Sequence, residues 1–583
     1  MENVEIAAVL REVADLLEIK GGNPFKVRAY RNAAQKVASQ ARPLRRMIEE
    51  EEDLTKIPGI GKDMSSYITE LVRTGGLERL RELQKDVSPT VTELLKLDGV
   101  GAKTAAKLYH ELGVDSMDKL RRALESGEVS KLEGLGAKTA EKMRRELEEV
   151  TGREERFLLS EADSLVRPLV EHLQDAKALK RLQIAGSFRR RSETVGDIDI
   201  LAICDDWEPV MDALTSFDSV DRVEQSGETR GTVVLRSGLQ VDLRILPEES
   251  YGAALHYFTG SKSHNVAVRK MGVERGLKIS EYGVFEVPEN RNADSSDPQE
   301  GKRVAGKDEK SVYKAVGLPW IPPELRESRG ELEAAENNDL PDLVRMDDIK
   351  GDLQMHSTWS DGEASIEEMA RACADMGYEY MAITDHSSWV GVTTGLDEEK
   401  LEKQWEELEK VRGKVEDITI LSGMEVDILD DGSLDLEDGH LERLDLVVVA
   451  IHSNMDMDED EMTARVVKAL SHPSVSILAH PTGRKINQRR PINIDLEQVI
   501  DAAVEQEVAL ECNAMPNRLD LADIHLRRAA EKGALLVVNT DAHRPDHLRY
   551  MSYGIDQARR GWLESDDLLN TKSLSKLRKW LKG

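Results

Sequence analysis

Apolar residues recur at spacings of three and four through the first 150 residues, and glycines interrupt this pattern at short intervals. Such spacing places the apolar side chains on one face of a helix, and each glycine favours a turn. The pattern therefore predicts a series of short helices over residues 1–150.

The pattern changes after residue 150. A helical stretch from Glu154 precedes four strand-like runs, LQIAG, DIDILAIC, TVVLRS and LQVDLRIL, which predict a mixed α/β unit over 151–246. Residues 247–327 are again mixed. Residues 328–348 are acidic, poor in apolar side chains and contain a proline, as is typical of a linker. From residue 349, six apolar runs alternate with helical segments, which predicts βαβ units and a parallel sheet or barrel.

Charge is distributed unevenly along the chain. The 583 residues carry a net charge of −31, but the first 200 hold 35 basic and 36 acidic residues, a net charge of −1, which leaves −30 for residues 201–583. Polyanions repel one another. The N-terminal third is therefore the part whose charge suits contact with nucleic acid.

The cysteines and the hydropathy of the chain argue against disulfide-rich, membrane-spanning and secreted proteins. Cys204, Cys373 and Cys512 include no CxxC pair, which argues against a disulfide framework or zinc ribbon and favours a reducing compartment. The chain has no run of 18 apolar residues, and its first 20 residues lack a signal-peptide pattern. We expect a soluble cytoplasmic protein of several domains with no membrane partner.

Three segments share the pattern apolar-x-Gly-apolar-Gly followed by a helix: IPGIGKDMSSYI from Ile57, LDGVGAKTAAKLY from Leu97 and LEGLGAKTAEKM from Leu132. A glycine turn at a helix N-terminus presents unpaired N–H groups that suit a phosphate. One copy is as typical of an ordinary glycine-capped connection, but three copies favour phosphate binding. The segments resemble helix-hairpin-helix DNA-binding motifs. That resemblance implies DNA contacts from Gly59, Gly61, Gly99, Gly101, Lys103, Gly134, Gly136 and Lys138.

A pair of acids, Asp197 and Asp199, ends the segment AGSFRRRSETVGDIDI. On a strand, side chains two residues apart point to the same face. Asp242 lies on a later predicted strand that could run beside the first. Three carboxylates on one face would suit magnesium. The alternative is that the pair belongs to a solvent-facing edge strand.

The residues before this pair favour the metal-site interpretation. Gly186 and Ser187 permit close approach of the backbone to a phosphate, and the arginines at 189–191 can neutralise it.

The segment GSFRRRSETVGDID, Asp242 and the segment YFTGSKSHN from Tyr257 together resemble the palm and thumb of family X DNA polymerases, the group containing DNA polymerase beta. This resemblance covers about residues 1–320. It implies that Asp197, Asp199 and Asp242 are catalytic and hold two ions of Mg²⁺ or Mn²⁺. It also implies that an incoming deoxynucleoside triphosphate contacts Gly186, Ser187, Arg190, Gly196, Tyr257, Phe258, Gly260, Asn265 and Arg269. From the residues alone, Tyr257 and Phe258 could equally be core aromatics.

The family's deoxyribose-phosphate lyase uses a Schiff-base lysine on the helix after the first hairpin motif. Aligning IPGIG without gaps puts Tyr67 at that position, while Lys62 lies about a turn away and Lys26 matches a phosphate-binding lysine. We therefore predict no lyase activity of that type.

Residues of the types that bind metals follow the apolar runs of the C-terminal region. They are His356, Asp361, His386, Glu425, His452, His480, Asp541 and His543. Side chains at the carboxyl ends of parallel strands converge on one mouth of a barrel. Eight such residues exceed what one ion needs, so we predict two or three ions, and mixed imidazole and carboxylate ligands favour manganese, zinc or iron.

This arrangement resembles the PHP phosphoesterase domain, a distorted seven-stranded (β/α) barrel, across residues 347–583. The family's first motif is His-x-His, but Gln354 stands at the first position before Met355 and His356. A glutamine offers a carbonyl oxygen rather than an imidazole. We therefore expect a metal-dependent nuclease that is weakened at one metal position.

Together the two resemblances imply a multidomain α/β protein of the PolX type. The implied segments are a helical DNA-binding domain (1–84), a fingers-like helical domain (85–150), the palm (151–246), the thumb (247–327), a linker (328–348) and the PHP domain (349–583). We expect a monomeric repair enzyme that fills short gaps in primed or gapped double-stranded DNA and trims 3′ ends or cuts at abasic sites. The alternatives are a small-molecule phosphatase with a vestigial polymerase and a non-catalytic DNA-binding scaffold.

Overall fold

The computed structural model describes most of the chain. The described residues are 3–38, 44–57, 59–74, 76–86, 91, 94, 100, 102–132, 135–136, 140, 143–144, 156–287, 299, 301–388 and 395–581. They fall into two compact units, Met1–Glu155 and Arg156–Gly583.

The first unit is helical, as its apolar spacing predicts. Its described helices α1–α7 are Asn3–Ile19, Pro24–Ala38, Leu44–Glu49, Lys62–Thr74, Glu78–Asp86, Ala102–Leu112 and Met117–Glu125. One apolar core joins them, in which Leu10, Leu16, Ile68 and Leu71 are fully buried. Short helices of this length are marginal in isolation, so this shared core holds them.

The second unit begins with a mixed α/β layer, which confirms the strands predicted there. Its elements are β1 Phe157–Leu158, α8 Leu159–Gln174, β2 Leu179–Ile184, α9 Gly186–Arg189, β3 Thr194–Val195, β4 Asp197–Cys204, α10 Glu208–Thr215, β5 Val220–Ser226, β6 Arg230–Leu235 and β7 Gln240–Ile245. The five-stranded sheet has the order β2-β4-β7-β6-β5. Strands β4 and β7 are parallel neighbours, and Asp199 pairs with Asp242 in their register.

A helical and antiparallel segment follows this layer. Its elements are α11 Tyr251–Thr259, α12 Lys262–Val273, β8 Leu277–Ser280, β9 Gly283–Glu286, β10 Lys302–Ala305, α13 Glu309–Ala315 and α14 Glu331–Asn337.

Helix α14 lies within the segment predicted as a linker, which is packed rather than extended. Glu331, Leu343 and Val344 are buried there. The Glu331 carboxylate is 2.6 Å from Nδ1 of His264 and accepts a hydrogen bond from the Ser328 N–H. The carboxylate can be buried here because its hydrogen-bond partners are local.

Seven parallel strands in the order β11 to β17 confirm the predicted C-terminal barrel. Its elements are β11 Gly351–Asp352, α15 Ile366–Asp375, β12 Tyr380–Ile383, α16 Glu398–Arg412, β13 Thr419–Asp427, α17 Asp438–Leu441, β14 Leu446–Ala450, α18 Glu459–Leu470, β15 Val475–Leu478, α19 Leu496–Glu505, β16 Ala509–Asn513, α20 Asp523–Glu531, β17 Leu536–Asn539, α21 Met551–Arg560 and α22 Leu574–Leu581. A parallel bridge between Met355 and Ala542 brings the first and last strands together, so the barrel is nearly closed. Within the described ranges, no helix combines the length and apolar character needed to cross a membrane.

Candidate active sites

Three aspartates lie on two adjacent strands of the five-stranded sheet. Asp197 and Asp199 occupy alternate positions of β4, and Asp242 pairs with Asp199 across to β7. The predicted juxtaposition therefore follows from the strand register. The Asp242 carboxylate accepts hydrogen bonds from Thr232 at 2.5 Å and from Arg230 at 2.9 Å.

The electrostatics of these carboxylates suit a cation. Burial, followed by the negative charges of Asp197 and Asp242, raises the pKa of Asp199 to about 7. Burial also acts to raise the pKa of Asp242, but hydrogen bonds from Thr232, Gln240 and Arg230 outweigh it and leave that pKa below its ordinary value. A divalent cation would relieve the repulsion that Asp199 experiences, so the donor set fits magnesium or manganese.

A tight turn approaches these carboxylates from the end of β2. Gly186 has φ +63°, and a Cβ added there would lie 2.9 Å from Oδ2 of Asp199. Both the positive φ and the close contact with Asp199 require a glycine at this position. Ser187 follows in α9, while Gly196, directly before β4, has its Cβ position 3.1 Å from a nitrogen of Arg156.

The three arginines after this turn are engaged with carboxylates. Arg189 makes a two-pronged pair with Glu309, at 2.7 and 2.9 Å. Arg190 donates from Nε to Glu327 at 3.0 Å, and Arg191 pairs with Asp556 at 2.6 Å. All three guanidinium groups are therefore ion-paired within the protein, and their predicted role in neutralising a phosphate stays a prediction.

The remaining residues of the expected nucleotide site lie together near the end of α11. Asn265 donates to the carbonyl of Tyr257 at 2.6 Å, and its own Oδ1 is buried without a hydrogen-bond partner among the described residues. The Arg269 guanidinium lies 5.9 Å from the centroid of the Tyr257 ring. Tyr257 and Phe258 are half-buried, and Gly260 adopts φ +69°. The Oδ1 of Asn265 is therefore available as an acceptor, whereas the Phe258 ring lies 4.3 Å from the guanidinium of Arg244.

The first glycine turn of the N-terminal unit lines a cavity of about 320 Å³. Gly59, Gly61, Lys26, Lys62 and Tyr67 are among its lining residues. The Tyr67 ring stacks on Tyr30, with centroids 5.7 Å apart. Two lysines beside a helix start favour an anion. Gly136 is described, as is the backbone of Lys103 in α6, whereas Gly99, Gly101, Gly134 and Lys138 lie outside the described residues.

In the barrel, Glu425 is surrounded by four histidines. Its carboxylate oxygens lie 3.1 Å from His480, 3.3 Å from His356 and 3.4 Å from both His386 and His452. Glu425 itself is buried. A buried carboxylate on β13 with four histidine neighbours marks the centre of the site.

A second carboxylate, that of Asp361, also has several histidines close to it. It lies 3.3 Å from His543, 3.5 Å from His386 and 3.7 Å from His356. Asp541 is 3.1 Å from His356 on the opposite ring nitrogen. All eight residues expected from the sequence therefore meet at one mouth of the barrel.

These side chains form overlapping sets of possible metal ligands. The sets are His356, Asp361, His386 and His543; His386, Glu425 and His452; and His356, Glu425 and Asp541. Because His356, His386 and Glu425 each belong to two sets, the arrangement suits neighbouring ions with shared ligands. The carboxylates also raise the pKa of His356, outweighing its burial, so the site favours positive charge.

Gln354 is fully buried two residues before His356. Neither its Oε1 nor its Nε2 has a hydrogen-bond partner among the described residues. An unsatisfied buried polar group costs about 1–3 kcal/mol. The orphaned amide oxygen is therefore available to a ligand, which fits the expectation that it replaces an imidazole at one metal position.

Sequence reasoning missed Arg518 and Asn513. Arg518 lies on the loop after β16, with Nε 4.0 Å from Asp541 and a buried Nη1 that has no partner among the described residues. Asn513 donates to Asp541 at 3.1 Å. Asn513 is the last residue of β16 and Arg518 follows it, so the available signal was their place at the end of a strand that supplies none of the predicted ligands.

Family models match this chain over four ranges. A helix-hairpin-helix domain matches residues 1–77, a SAM-like helix-hairpin-helix tandem 91–149, a DNA polymerase beta thumb 254–327 and a PHP domain 352–514. These matches define a polymerase-type chain joined to a PHP barrel.

Individual relatives cover the whole chain or one half of it. The DNA polymerase/3′-5′ exonuclease PolX of Bacillus subtilis (strain 168) is 41% identical over 100% of both chains. DNA polymerase lambda of Rattus norvegicus is 25% identical over 56% of each chain. A probable phosphatase of Thermoanaerobacter sp. (strain X514) is 28% identical over 40% of this chain and 94% of its own. Because the first match spans both proteins entirely, the chain belongs to the PolX family of family X DNA polymerases, as its motifs led us to expect.

Proposed function

We propose that this protein fills short gaps in DNA during repair and processes DNA ends with its barrel, as a 3′-5′ exonuclease or abasic-site endonuclease. The observation that carries the proposal is the pairing of Asp199 with Asp242 in the same compact unit as eight converging barrel ligands. Primed or gapped double-stranded DNA and deoxynucleoside triphosphates are its substrates. Cytoplasmic location and a monomeric state stay predictions.

In the polymerase reaction, Asp197, Asp199 and Asp242 would hold two Mg²⁺ or Mn²⁺ ions. Such ions lower the pKa of a primer 3′-hydroxyl and neutralise the triphosphate. The backbone at Gly186 and Ser187 approaches the phosphates, and Arg190 supplies positive charge. The sugar and base are then oriented by Tyr257, Phe258, Gly260, Asn265 and Arg269. Gly196, directly before β4, has no side chain and so leaves space for the nucleotide.

In the barrel, the eight ligands and Gln354 would hold two or three ions of manganese, zinc or iron. Ions of this kind activate water and polarise a phosphodiester. Arg518 lies beside Asp541 and binds a non-bridging phosphate oxygen through its Nη1, which has no hydrogen-bond partner in the described part of the chain.

A labelled gapped duplex tests both activities at once. With magnesium or manganese and all four deoxynucleoside triphosphates, extension and shortening of the labelled strand are followed on one gel. Failure to extend the primer would contradict the polymerase assignment. Hydrolysis of a phosphate monoester without any cleavage of DNA would instead favour a phosphatase, the activity named for the barrel's Thermoanaerobacter relative.

We also propose that the first unit binds DNA through its glycine turns and lacks Schiff-base lyase activity. Gly59 and Gly61 line the cavity together with Lys26 and Lys62, whereas Tyr67 occupies the position expected for a lyase nucleophile.

Gly61→Val and Gly136→Val should each weaken binding of gapped DNA about tenfold, because a side chain there holds phosphate away from the backbone. A Cβ at either position meets no atom of the described residues within 4 Å, so we expect both variants to fold. Affinity is measured by fluorescence anisotropy on several DNA sequences. The loss should be equal across sequences, since phosphate contacts carry no base information.

Gly439→Val is the matched control, because Gly439 in the barrel is equally open. It should bind DNA like the wild-type protein. A loss confined to particular base sequences would contradict phosphate contact.

Gln354→His should raise both the metal content and the rate of DNA hydrolysis. An imidazole is a stronger ligand than an amide oxygen for zinc or manganese. Metal per chain is measured by mass spectrometry. Equal metal content in the two proteins would show that glutamine already fills the position.

A further inference from the structure

Glu327 lies between two arginines that come from different halves of the second unit. Its Oε1 accepts a hydrogen bond from Nε of Arg190 at 3.0 Å and from Nη1 of Arg560 at 3.0 Å. The same Nη1 donates to the backbone carbonyl of Arg190 at 2.9 Å. A barrel residue on α21 thus contacts Arg190 directly and also through Glu327.

The barrel fixes Arg560 from its other side. Nη2 of Arg560 pairs with Asp523 at 2.8 Å, and Asp523 also pairs with Arg329 at 2.9 Å. Arg560 and Glu327 are both largely buried, with side-chain exposures of 8% and 17%. Charges alternate along this chain of contacts, starting with the positive charge of Arg190.

The far side of Arg190 reaches the second segment of the expected nucleotide site. Its Nη1 donates to the carbonyl of Thr259 at 2.6 Å, directly before Gly260. A Cβ on Gly260 would lie 3.2 Å from that nitrogen. Arg190 therefore bridges the glycine turn after β2 and the end of α11, and any shift of Arg190 changes both.

We propose that Arg560 and Glu327 are positioning residues for the incoming nucleotide, so that the barrel completes the triphosphate site of the palm. This inference rests on the proposed function, since it takes Arg190 as a ligand of the triphosphate. Glu327 holds the guanidinium in place, and Arg560 shares the charge of Glu327. Arg190 consequently keeps enough positive charge to attract the phosphates.

Removing the shared charge tests this assignment. In Arg560→Gln the negative charge of Glu327 is no longer shared with a second arginine, so it neutralises Arg190 more fully. The KM for the deoxynucleoside triphosphate should therefore rise about tenfold, while kcat stays within about twofold. Both constants are measured on gapped DNA at saturating primer. Melting temperature is recorded for every variant.

Arg559→Gln is the matched control on the same helix. Arg559 pairs with Glu324 at 2.8 Å and donates to the Val344 carbonyl at 2.9 Å, so its loss also removes a contact between the halves. Its KM should stay within about twofold of the wild-type value. Equal KM values for the Arg559 and Arg560 variants would overturn the inference.

Glu327→Gln separates charge from structural support. The amide oxygen still accepts hydrogen bonds but carries no charge, so Arg190 is held in place without being neutralised and the KM should fall about twofold or more. Combined with Arg560→Gln, it should return KM to within about threefold of the wild-type value. A double variant as impaired as Arg560→Gln, or a raised KM in Glu327→Gln alone, would show a merely structural network and overturn the proposal.

The wild-type protein separates this inference from the proposed function. If wild type extends the primer and Arg190→Ala raises KM, the proposed function stands whatever the Arg560 variants show. A wild type that adds no nucleotide overturns the polymerase assignment, and the inference with it.

Discussion

Asp242→Asn should reduce nucleotide incorporation by at least about a thousandfold, because metal-assisted charge stabilisation contributes several kcal/mol to phosphoryl transfer. The substitution keeps the shape of the side chain and removes its charge. Asp242 pairs with Asp199 in the strand register, so its loss takes one carboxylate from the set of three. Incorporation is measured as single-nucleotide extension of a labelled primer in a one-nucleotide gap.

Hydrolysis of DNA by the barrel should stay within about twofold of the wild-type rate in the same variant, since its ligands lie on other strands. Asp221→Asn is the matched control, because Asp221 is an exposed aspartate on β5 of the same sheet. It should incorporate nucleotides at the wild-type rate. Incorporation by Asp242→Asn within a few-fold of wild type would refute the palm assignment.

Glu425→Gln should remove bound metal from the barrel and lower DNA hydrolysis by about a thousandfold or more. Glu425 approaches four histidines within 3.4 Å and belongs to two of the overlapping ligand sets. A neutral amide at that centre supplies no charge to balance the cations. Metal content by mass spectrometry and shortening of a labelled 3′ end are the two measurements.

Gap filling by Glu425→Gln should remain at the wild-type rate, because the palm carboxylates are untouched. Glu442→Gln, at an exposed position after α17, serves as the control and should retain both metal and nuclease activity. Full metal content with unchanged hydrolysis in Glu425→Gln would rule out a metal centre around this residue.

The barrel ligands were predictable because parallel strands all end at one rim. Each of His386, His452 and His480 follows an apolar run, so reading the strands correctly located the histidines as well. Asp199 and Asp242 were predictable for a related reason. Period-two alternation fixes the face of each strand, and only the adjacency of β4 and β7 had to be supplied by the fold.

The partners of the arginine run could not be read from the sequence. Arg191 pairs with Asp556, which is 365 residues away, and Arg190 with Glu327, 137 residues away. No local periodicity records a contact of that separation. A solvated basic patch and a set of buried ion pairs have the same one-dimensional pattern, and only packing distinguishes them.

The prediction of a linker over residues 328–348 was wrong for a different reason. Its acidity and its single proline are typical of an exposed connection, yet Glu331 is buried and Val344 packs in the barrel core. A carboxylate that is satisfied by nearby N–H groups and a histidine can be buried without apolar neighbours in sequence. Hydropathy alone does not detect such a site.

Tyr553 of helix α21 packs in the apolar core of the α/β layer together with Leu519, another barrel residue. The same helix carries the ion-paired Asp556, Arg559 and Arg560. Unfolding of α21 would therefore remove an apolar contact and several ion pairs from the α/β layer and the segment after it at the same time. We therefore expect the two halves to unfold in one cooperative transition, so that thermal unfolding of the barrel is accompanied by loss of DNA synthesis.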